Sequence, residues 1–410
     1  TPAVDAYRGA VRPEANYLVE LLMDHIAAET GHSRIDVRRV NMIKPSQIPY
    51  KMVCGGTIDS GEMTDLFDMA LAKADVAGFA KRKAESAERG KLRGIGFGMY
   101  LEQCGNGADD GVDIEFQDDG RVILYGSQQC NGQGHQTTVT QILSDRLGYD
   151  ADLITVKQGD SNRSPRGTTG GARMTAVLGS ATALAAAKII DLAKPFAAEA
   201  LECGEDDLNF ADGLFLRQDT NRSIAIEDLV RQLATSGEKH RLNWAQPYET
   251  DGATYPYGCH IIELEIDRQT CAVEIASYHV VDDFGIIINP LTLEGQIHGG
   301  IAQGVGQALL EHVVYDDSGQ LLAGSLMDYA LPRADLFPGF QISTRNTACA
   351  NNALGIKGSG EAGAIGAPQA VISAICDALE MTHIDMPATP LAIFNAMKAK
   401  TANSPKNKGE

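Results

Sequence analysis

Glu361 is an ionisable residue set among glycines, in the run Gly358-Ser359-Gly360-Glu361-Ala362-Gly363. Lys357 precedes it, and an apolar helical stretch runs from Pro368 to Leu379. Glycines let backbone approach a ligand closely, and a carboxylate held there can act as a general base. On spacing alone, the commoner meaning is a carboxylate that complements the N-terminus of the following helix. The same six residues also spell GxGxxG, a dinucleotide-binding pattern. That pattern needs a hydrophobic strand before it and a βαβ unit around it. Asn351 to Gly355 reads as a loop instead, and the chain ends soon afterwards, so no Rossmann site is expected.

Two further glycine-rich turns precede expected helices. Gly132-Gln133-Gly134-His135 presents backbone N–H groups and a carboxamide together, which suits a polar heterocycle or a phosphate. Thr168-Thr169-Gly170-Gly171-Ala172-Arg173-Met174-Thr175 gathers hydroxyls, bare amides and one arginine, the makings of a phosphate cradle. A plain glycine-rich turn is the commoner meaning of either one. Arg8, in Ala6-Tyr7-Arg8-Gly9-Ala10, has an exposed ion pair as its ordinary role.

These residues need elements to place them. Leu18, Leu21, Leu22 and Ile26 have helical spacing within Asn16 to Ala28. Thr64 to Ala84 reads as a second, amphipathic helix, and the basic run from Lys81 to Arg93 as its solvated end. Val112, Ile114 and Phe116 alternate with polar residues, Asp118-Asp119-Gly120 turns, and Val122 to Tyr125 returns. Ile262 to Ile266, a turn at Asp267 to Cys271, and Val273 to Val281 form a second hairpin. His312 to Leu322, turned at Asp317-Ser318-Gly319, is expected to form a third. The first hairpin leads to Gly-Gln-Gly-His and a helix. The second leads to Gly295-Gln296-Ile297-His298 and another helix. This reads as a weak internal duplication whose two loops would converge on one ligand. An Ala-rich helix from Val177 to Leu201 should bend at Pro195. Residues 203–250 read as a surface insert, and the tail from Lys398 as polar and disordered.

Composition narrows the function. Acidic residues outnumber basic ones, 54 to 35, for a formal net charge of −19. Bulk charge therefore disfavours nucleic acid and anionic membrane as partners. No apolar run approaches the roughly 20 residues of a membrane span. No export signal is visible at the N-terminus, and the absent initiator Met suggests a chain that is processed, split from a partner, or cut from something longer. None of the eight cysteines forms a CxxC pair. The expected state is reduced thiols in a cytoplasmic protein, with no iron–sulfur or zinc site of its own. A metal centre would arrive inside an organic cofactor.

Taken together, the segments resemble the large, molybdopterin-binding subunit of the molybdenum hydroxylases, the xanthine dehydrogenase, aldehyde oxidase and aerobic carbon monoxide dehydrogenase family. The match runs in order through AYRGAVRPEA, DSGEM, GKLRGIGFG, NGQGHQTT, GTTGGARMT, YGCHIIELEID, DDFGIIINP, EGQIHGGIAQG and LGIKGSGEAGAIGAP. It looks most like the carbon monoxide dehydrogenase-like branch. The resemblance implies an α+β fold of mixed sheets with packed helices, of the xanthine dehydrogenase type. Residues 1–90 would finish a first molybdopterin-binding domain, 91–397 form a second, and 398–410 make a polar tail.

The resemblance also implies roles. Glu361 matches the catalytic glutamate, and Arg8 an arginine that orients substrate or stabilises developing charge. Gln133 and Gln296 match pterin contacts, with Gly132, Gly134 and His135 beside the first. The loop from Thr168 to Thr175 (Thr169, Gly170, Gly171, Ala172 and Arg173 within it) matches the stretch holding the phosphate or dinucleotide end. Lys357, Gly358 and Gly360 would add contacts from the glutamate's own loop. The implied cofactor is a molybdopterin-type molybdenum cofactor, its cytosine dinucleotide form included. The implied reaction hydroxylates an electron-poor carbon with water as the oxygen source. Electrons would leave through an iron–sulfur subunit carrying [2Fe-2S] clusters and a flavin subunit carrying FAD.

Two departures shape the expectation. The chain matches only the C-terminal part of such subunits, so the missing N-terminal half becomes an expected partner. The carbon monoxide enzymes place a copper-binding cysteine straight after the arginine, where this chain has Gly9. An aldehyde or an aromatic N-heterocycle is therefore the expected substrate. A non-catalytic structural or assembly subunit, a carbon monoxide dehydrogenase-like enzyme, and a protein for another phosphate-bearing cofactor stand as alternatives.

Overall fold

The computed structural model describes residues 3–105 and 110–403. In chain order it runs through α1 (Arg12–Thr30), α2 (Arg34–Asn41), a short hairpin of β1 (Tyr50–Lys51) and β2 (Thr57–Ile58), α3 (Met63–Lys73), α4 (Phe79–Glu88) and β3 (Lys91–Leu101). Next come β4 (Asp110–Phe116), β5 (Val122–Gly126), α5 (His135–Leu147), β6 (Ile154–Gln158) and α6 (Met174–Leu201). Strands β7 (Leu208–Ala211), β8 (Leu214–Arg217) and β9 (Ser223–Ala225), helix α7 (Ile226–Ser236) and β10 (Trp244–Tyr248) follow. The chain closes with β11 (Tyr257–Asp267), β12 (Val273–Asp283), α8 (Pro290–Leu309), β13 (Gln341–Thr344), α9 (Ala362–Leu379) and α10 (Pro390–Asn403). This is an α+β architecture of mixed sheets.

Two four-stranded sheets, ordered β10-β4-β5-β6 and β13-β12-β11-β3, share the connectivity of three of their strands. In each, an antiparallel hairpin (β4–β5, β11–β12) continues through a helix (α5, α8) to a strand parallel to its second arm (β6, β13). A parallel pairing needs such a crossover, because a tight turn can only reverse the chain. Each hairpin's first arm also takes an antiparallel outer neighbour (β10, β3). The duplication seen weakly in sequence therefore has a counterpart in topology. The two Gly-Gln-x-His runs do not correspond, however. The first lies ahead of α5, whereas the second lies inside α8, because Asn289 caps and Pro290 starts that helix early.

Alternation along β3 decides how the second sheet packs. Ile95 and Phe97 point to one face and join a buried cluster that also holds Leu66 and Phe67 of α3. Gly94, Gly96 and Gly98 point to the other, where a Cβ would lie 2.0, 1.9 and 2.2 Å from the carbonyl oxygens of Ala374, Ala370 and Gly366. Helix α9 thus lies directly on strand backbone, and every residue of it except Asp377 is buried. Gly300 and Gly304 admit its other side against α8. Helices α6 and α9 are both long and apolar enough to cross a membrane, yet 67% and 94% of their apolar windows are buried inside the protein.

Several local expectations change. The helix expected over 64–84 is interrupted at Asp75, whose φ of 46° is left-handed. The third hairpin reduces to a single bridge between Tyr315 and Leu321. Residues 203–250 are more than a surface insert: β10 pairs with β4, and Phe215, Ile226, Leu229 and Leu242 enter the core under the first sheet. Helix α10 extends through Asn403, so the expected tail begins as helix, and residues 404–410 lie outside the described residues.

Candidate active site

Helices α5, α6, α8 and α9 all begin at one cavity of about 650 Å³ between the two sheets' crossover loops. Free N–H groups and the helix dipole make each such end a place for an anion or an electron-rich ring. The loops that deliver these ends come from all three glycine-rich motifs. Of the candidate catalytic and cofactor-binding residues, only Gly134 and Thr168 do not line the cavity, and of the Gly295-Gln296-Ile297-His298 run only Gln296 does. Gly134 is the α5 N-cap, and the Thr168 carbonyl accepts from Arg173.

Glycine at 358 lets two of the loops meet. A Cβ there would lie 2.3 Å from the carbonyl oxygen of Ala172 and 2.5 Å from Cys104 Sγ. The loop carrying Glu361 therefore packs directly on the Gly170–Arg173 loop, whose Ala172 is itself left-handed, with φ 51°.

Arg8 enters from the N-terminal segment. One guanidinium nitrogen donates to Gln303 Oε1 at 3.1 Å, and the other to the Gln296 carbonyl at 2.9 Å and to Gln296 Oε1 at 3.3 Å. Its Nε donates to the Gly360 carbonyl. Burial lowers the Arg8 pKa, and the nearby Glu361 opposes that shift. The next residue, Gly9, donates its N–H to Glu361 Oε1 at 2.9 Å, and Arg12 lies 3.8 Å from Oε2. The N-terminal segment thus supplies both a cation at the cavity and a clamp on the carboxylate.

The structure gives several expected contacts other work. Lys357 places its ammonium on Asp283 (2.9 Å), Thr347 Oγ1 (3.0 Å) and the Ser60 carbonyl (3.4 Å), and both charged side chains are fully buried. An ammonium has three donors, so none remains for a cofactor. Arg173 pairs with buried Asp110 at 3.0 Å and donates to the Thr168 carbonyl at 2.9 Å. Thr169 Oγ1 is tied to Gln129 as both acceptor and donor. Gln133 turns its side-chain oxygen onto the N–H of Asn131. These groups shape the loops, and the ligand-facing surface they leave is mostly backbone.

Sequence reasoning missed Thr138, Thr292, Gln303 and the apolar wall of Phe284 and Ile286 to Ile288. One signal for Gln303 existed: it lies seven residues after Gln296, on the same helix face. Glu102, just past β3 and fully buried beside Glu361, carried no signal at all.

The residues present fit a flat, polar heterocycle with an anionic arm. His135 lines the cavity and keeps a buried Nδ1 without a hydrogen-bond partner among the described residues, and burial lowers its pKa to about 4, favouring a neutral acceptor or donor ring. Gly132 and Gly170 face open space, so a ligand can approach their backbone. Among the described residues no three His, Cys, Asp or Glu side chains converge as metal ligands.

Comparison with known proteins points the same way. A family model described as a molybdopterin cofactor-binding domain matches residues 69–338, and a second of the same description matches residues 1–42. The chain is 32% identical to the carbon monoxide dehydrogenase large chain of Hydrogenophaga pseudoflava, over 97% of this chain and 52% of that protein. It is 30% identical to the nicotine 6-hydroxylase large subunit of Paenarthrobacter nicotinovorans, over 96% and 51%. Among solved structures, quinoline 2-oxidoreductase from Pseudomonas putida 86 superposes with a TM-score of 0.87 at 31% identity, covering 96% of this chain and 53% of that one. The chain spans about half the length of the curated relatives it matches. With the four helix ends, the glycine-lined cradle and a family model over most of its length, this chain belongs to the molybdopterin cofactor-binding domain family.

Proposed function

We propose that this chain is the base-carrying, cofactor-binding part of a molybdenum hydroxylase that oxidises an aldehyde or an aromatic N-heterocycle with water as the oxygen source. The observation that carries it is the pairing, at one cavity, of a clamped carboxylate (Glu361) with a half-buried guanidinium (Arg8) among four helix N-termini. When bound, a molybdopterin-type cofactor, its cytosine dinucleotide form included, supplies the redox chemistry. The backbone of Gly132 and of Gly170 to Ala172 would hold it, with Gln296 and His135 on its edges. Glu361 takes the proton released as water's oxygen is transferred, because its Oε1 is fixed by Gly9 and its charge is steadied by Arg12. Arg8, locked by Gln296, Gln303 and Gly360, orients the substrate's polar atom and stabilises charge that builds on it. Phe284 and Ile286 to Ile288 keep that side of the cavity dry.

Gly9 disfavours carbon monoxide as substrate. It has no thiolate for copper, and its φ of +103°, with a would-be Cβ 2.6 Å from Pro13 Cδ, leaves no room for a cysteine. The missing N-terminal half, an iron–sulfur subunit and a flavin subunit are the proposed partners. The half-length coverage of the relatives supports the first of these, as do the exposed Leu18, Val19 and Leu22 on α1.

Glu361→Gln in the assembled complex tests the reading. It keeps shape but removes the base, so turnover per bound molybdenum falls at least about a hundredfold. Cofactor content changes little, because other groups hold the cofactor. A variant with near-normal turnover per molybdenum removes Glu361 from the mechanism and favours a non-catalytic subunit.

A further inference from the structure

Glu102 is fully buried just past β3, its backbone held by an N–H donated to the Pro256 carbonyl at 2.9 Å. Among the described residues no N–H or O–H group donates to either of its carboxyl oxygens, and the one side-chain donor beside them is the weak Cys104 thiol. Its side chain meets that of Glu361, whose Oε2 is likewise buried without a donor while Oε1 takes the Gly9 N–H. At this contact three buried carboxyl oxygens lack a hydrogen-bonded N–H or O–H donor among the described residues, and the nearest guanidinium nitrogen, on Arg12, stands 3.8 Å from Glu361 Oε2. Two touching carboxyl groups cannot both be ionised in such a place, and they share a proton.

Which partner holds the proton follows from the surroundings. Glu361 has Arg8, Arg12 and the Gly9 N–H around it. Glu102 has the Cys104 thiol as its side-chain donor and the Tyr100 phenol near it, with Arg12 and Arg8 as cations at longer range. Burial raises the pKa of Glu102 well above the usual carboxylate range, and the adjacent Glu361 raises it further. The same burial keeps the Cys104 thiol and the Tyr100 phenol protonated.

We propose that Glu102 is a positioning residue that stays protonated and donates its O–H to the carboxylate of Glu361, fixing the direction in which that carboxylate meets the cavity. This rests on the reading of Glu361 as the general base. Gly9 from one side and Glu102 from the other then hold the carboxylate as a fork.

Infrared difference spectra of the assembled protein test it, independently of turnover. Wild type minus Glu102→Gln should show a protonated carboxyl C=O band at neutral pH that is lost in the variant. Glu102→Gln should keep turnover, because its amide N–H replaces the O–H. Glu102→Leu should lower turnover and move the acidic limb of the rate profile to higher pH, because the carboxylate loses a donor to its charged form. Absence of the band in wild type overturns the proposal. So does a Glu102→Gln profile moved to lower pH, the mark of a lost negative neighbour. A band that persists while Glu361→Gln retains full turnover overturns the base assignment itself, a failure the spectrum separates from the first two.

Discussion

Replacing Lys357 with methionine would separate a cofactor ligand from a structural clamp. The ammonium lies 2.9 Å from Asp283, and both side chains are wholly out of solvent. Removing one member of such a pair typically costs about 3–5 kcal/mol, because a buried charge is left uncompensated. Asp283 would still accept from the N–H groups of Gly285 (2.9 Å) and Thr347 (3.1 Å) and from the Thr347 hydroxyl. Those donors place the cost toward the lower bound, about 3 kcal/mol. Lys357→Met/Asp283→Asn removes both charges and keeps the accepting oxygen, so it should recover to within about 1 kcal/mol of wild type. Denaturant unfolding of all four proteins measures the cycle, and molybdenum content of the assembled complex accompanies it. The clamp reading expects stability and cofactor content to fall together in the single variant and return together in the double. A single variant that is as stable as wild type but loses cofactor, with no rescue by Asp283→Asn, would refute the reasoning.

Other expectations follow from the same geometry. Gly96→Ala puts a methyl 1.9 Å from the Ala370 carbonyl oxygen, so α9 must shift; the cost should reach about 3 kcal/mol by denaturant unfolding, and a loss under half that would mean the helix yields easily. Burial alone would raise the Glu265 pKa, but Ser86, Lys91 and Arg89 outweigh it and hold it at about 2. Its contribution, roughly 1–3 kcal/mol after solvent screening, is therefore complete above pH 4.5 and disappears as pH falls through about 2. The stability gap between wild type and Glu265→Gln should close over that range, and a gap independent of pH would contradict the sign. The assembled complex should neither bind stoichiometric copper nor take up carbon monoxide. Copper with activity would point to Cys130: burial pushes its thiol up, but the N–H groups of His135, Gly132, Gly134 and Gln133 outweigh that and lower its pKa.

Short-range pattern was enough for much of this protein. Period-two alternation marked β4–β5 and β11–β12, because one face of each strand must be buried. Glycine-rich turns pointed to α5, α6 and α9, although α9 starts at Ala362 rather than at the expected Pro368, and close backbone approach requires glycine at Gly358. Residue type offered Glu361 as one possible base and Arg8 only as an exposed ion pair; the roles proposed for both came from nine short segments in order, which pointed to the family. What the pattern could not carry was anything decided by a distant partner. The pairing of β10 with β4 and the start of α8 ahead of its Gly-Gln-Ile-His run depend on packing and capping that no periodicity reports. The same holds for side-chain direction. Lys357 looked like a ligand because of its neighbours in sequence, yet Asp283 and Thr347, brought together by tertiary contacts, claim its ammonium. Glu102 sits at the end of an ordinary strand, and only the fold brings its carboxyl against that of Glu361. Burial and charge neighbours fix a protonation state, and both are properties of the packed molecule rather than of the chain.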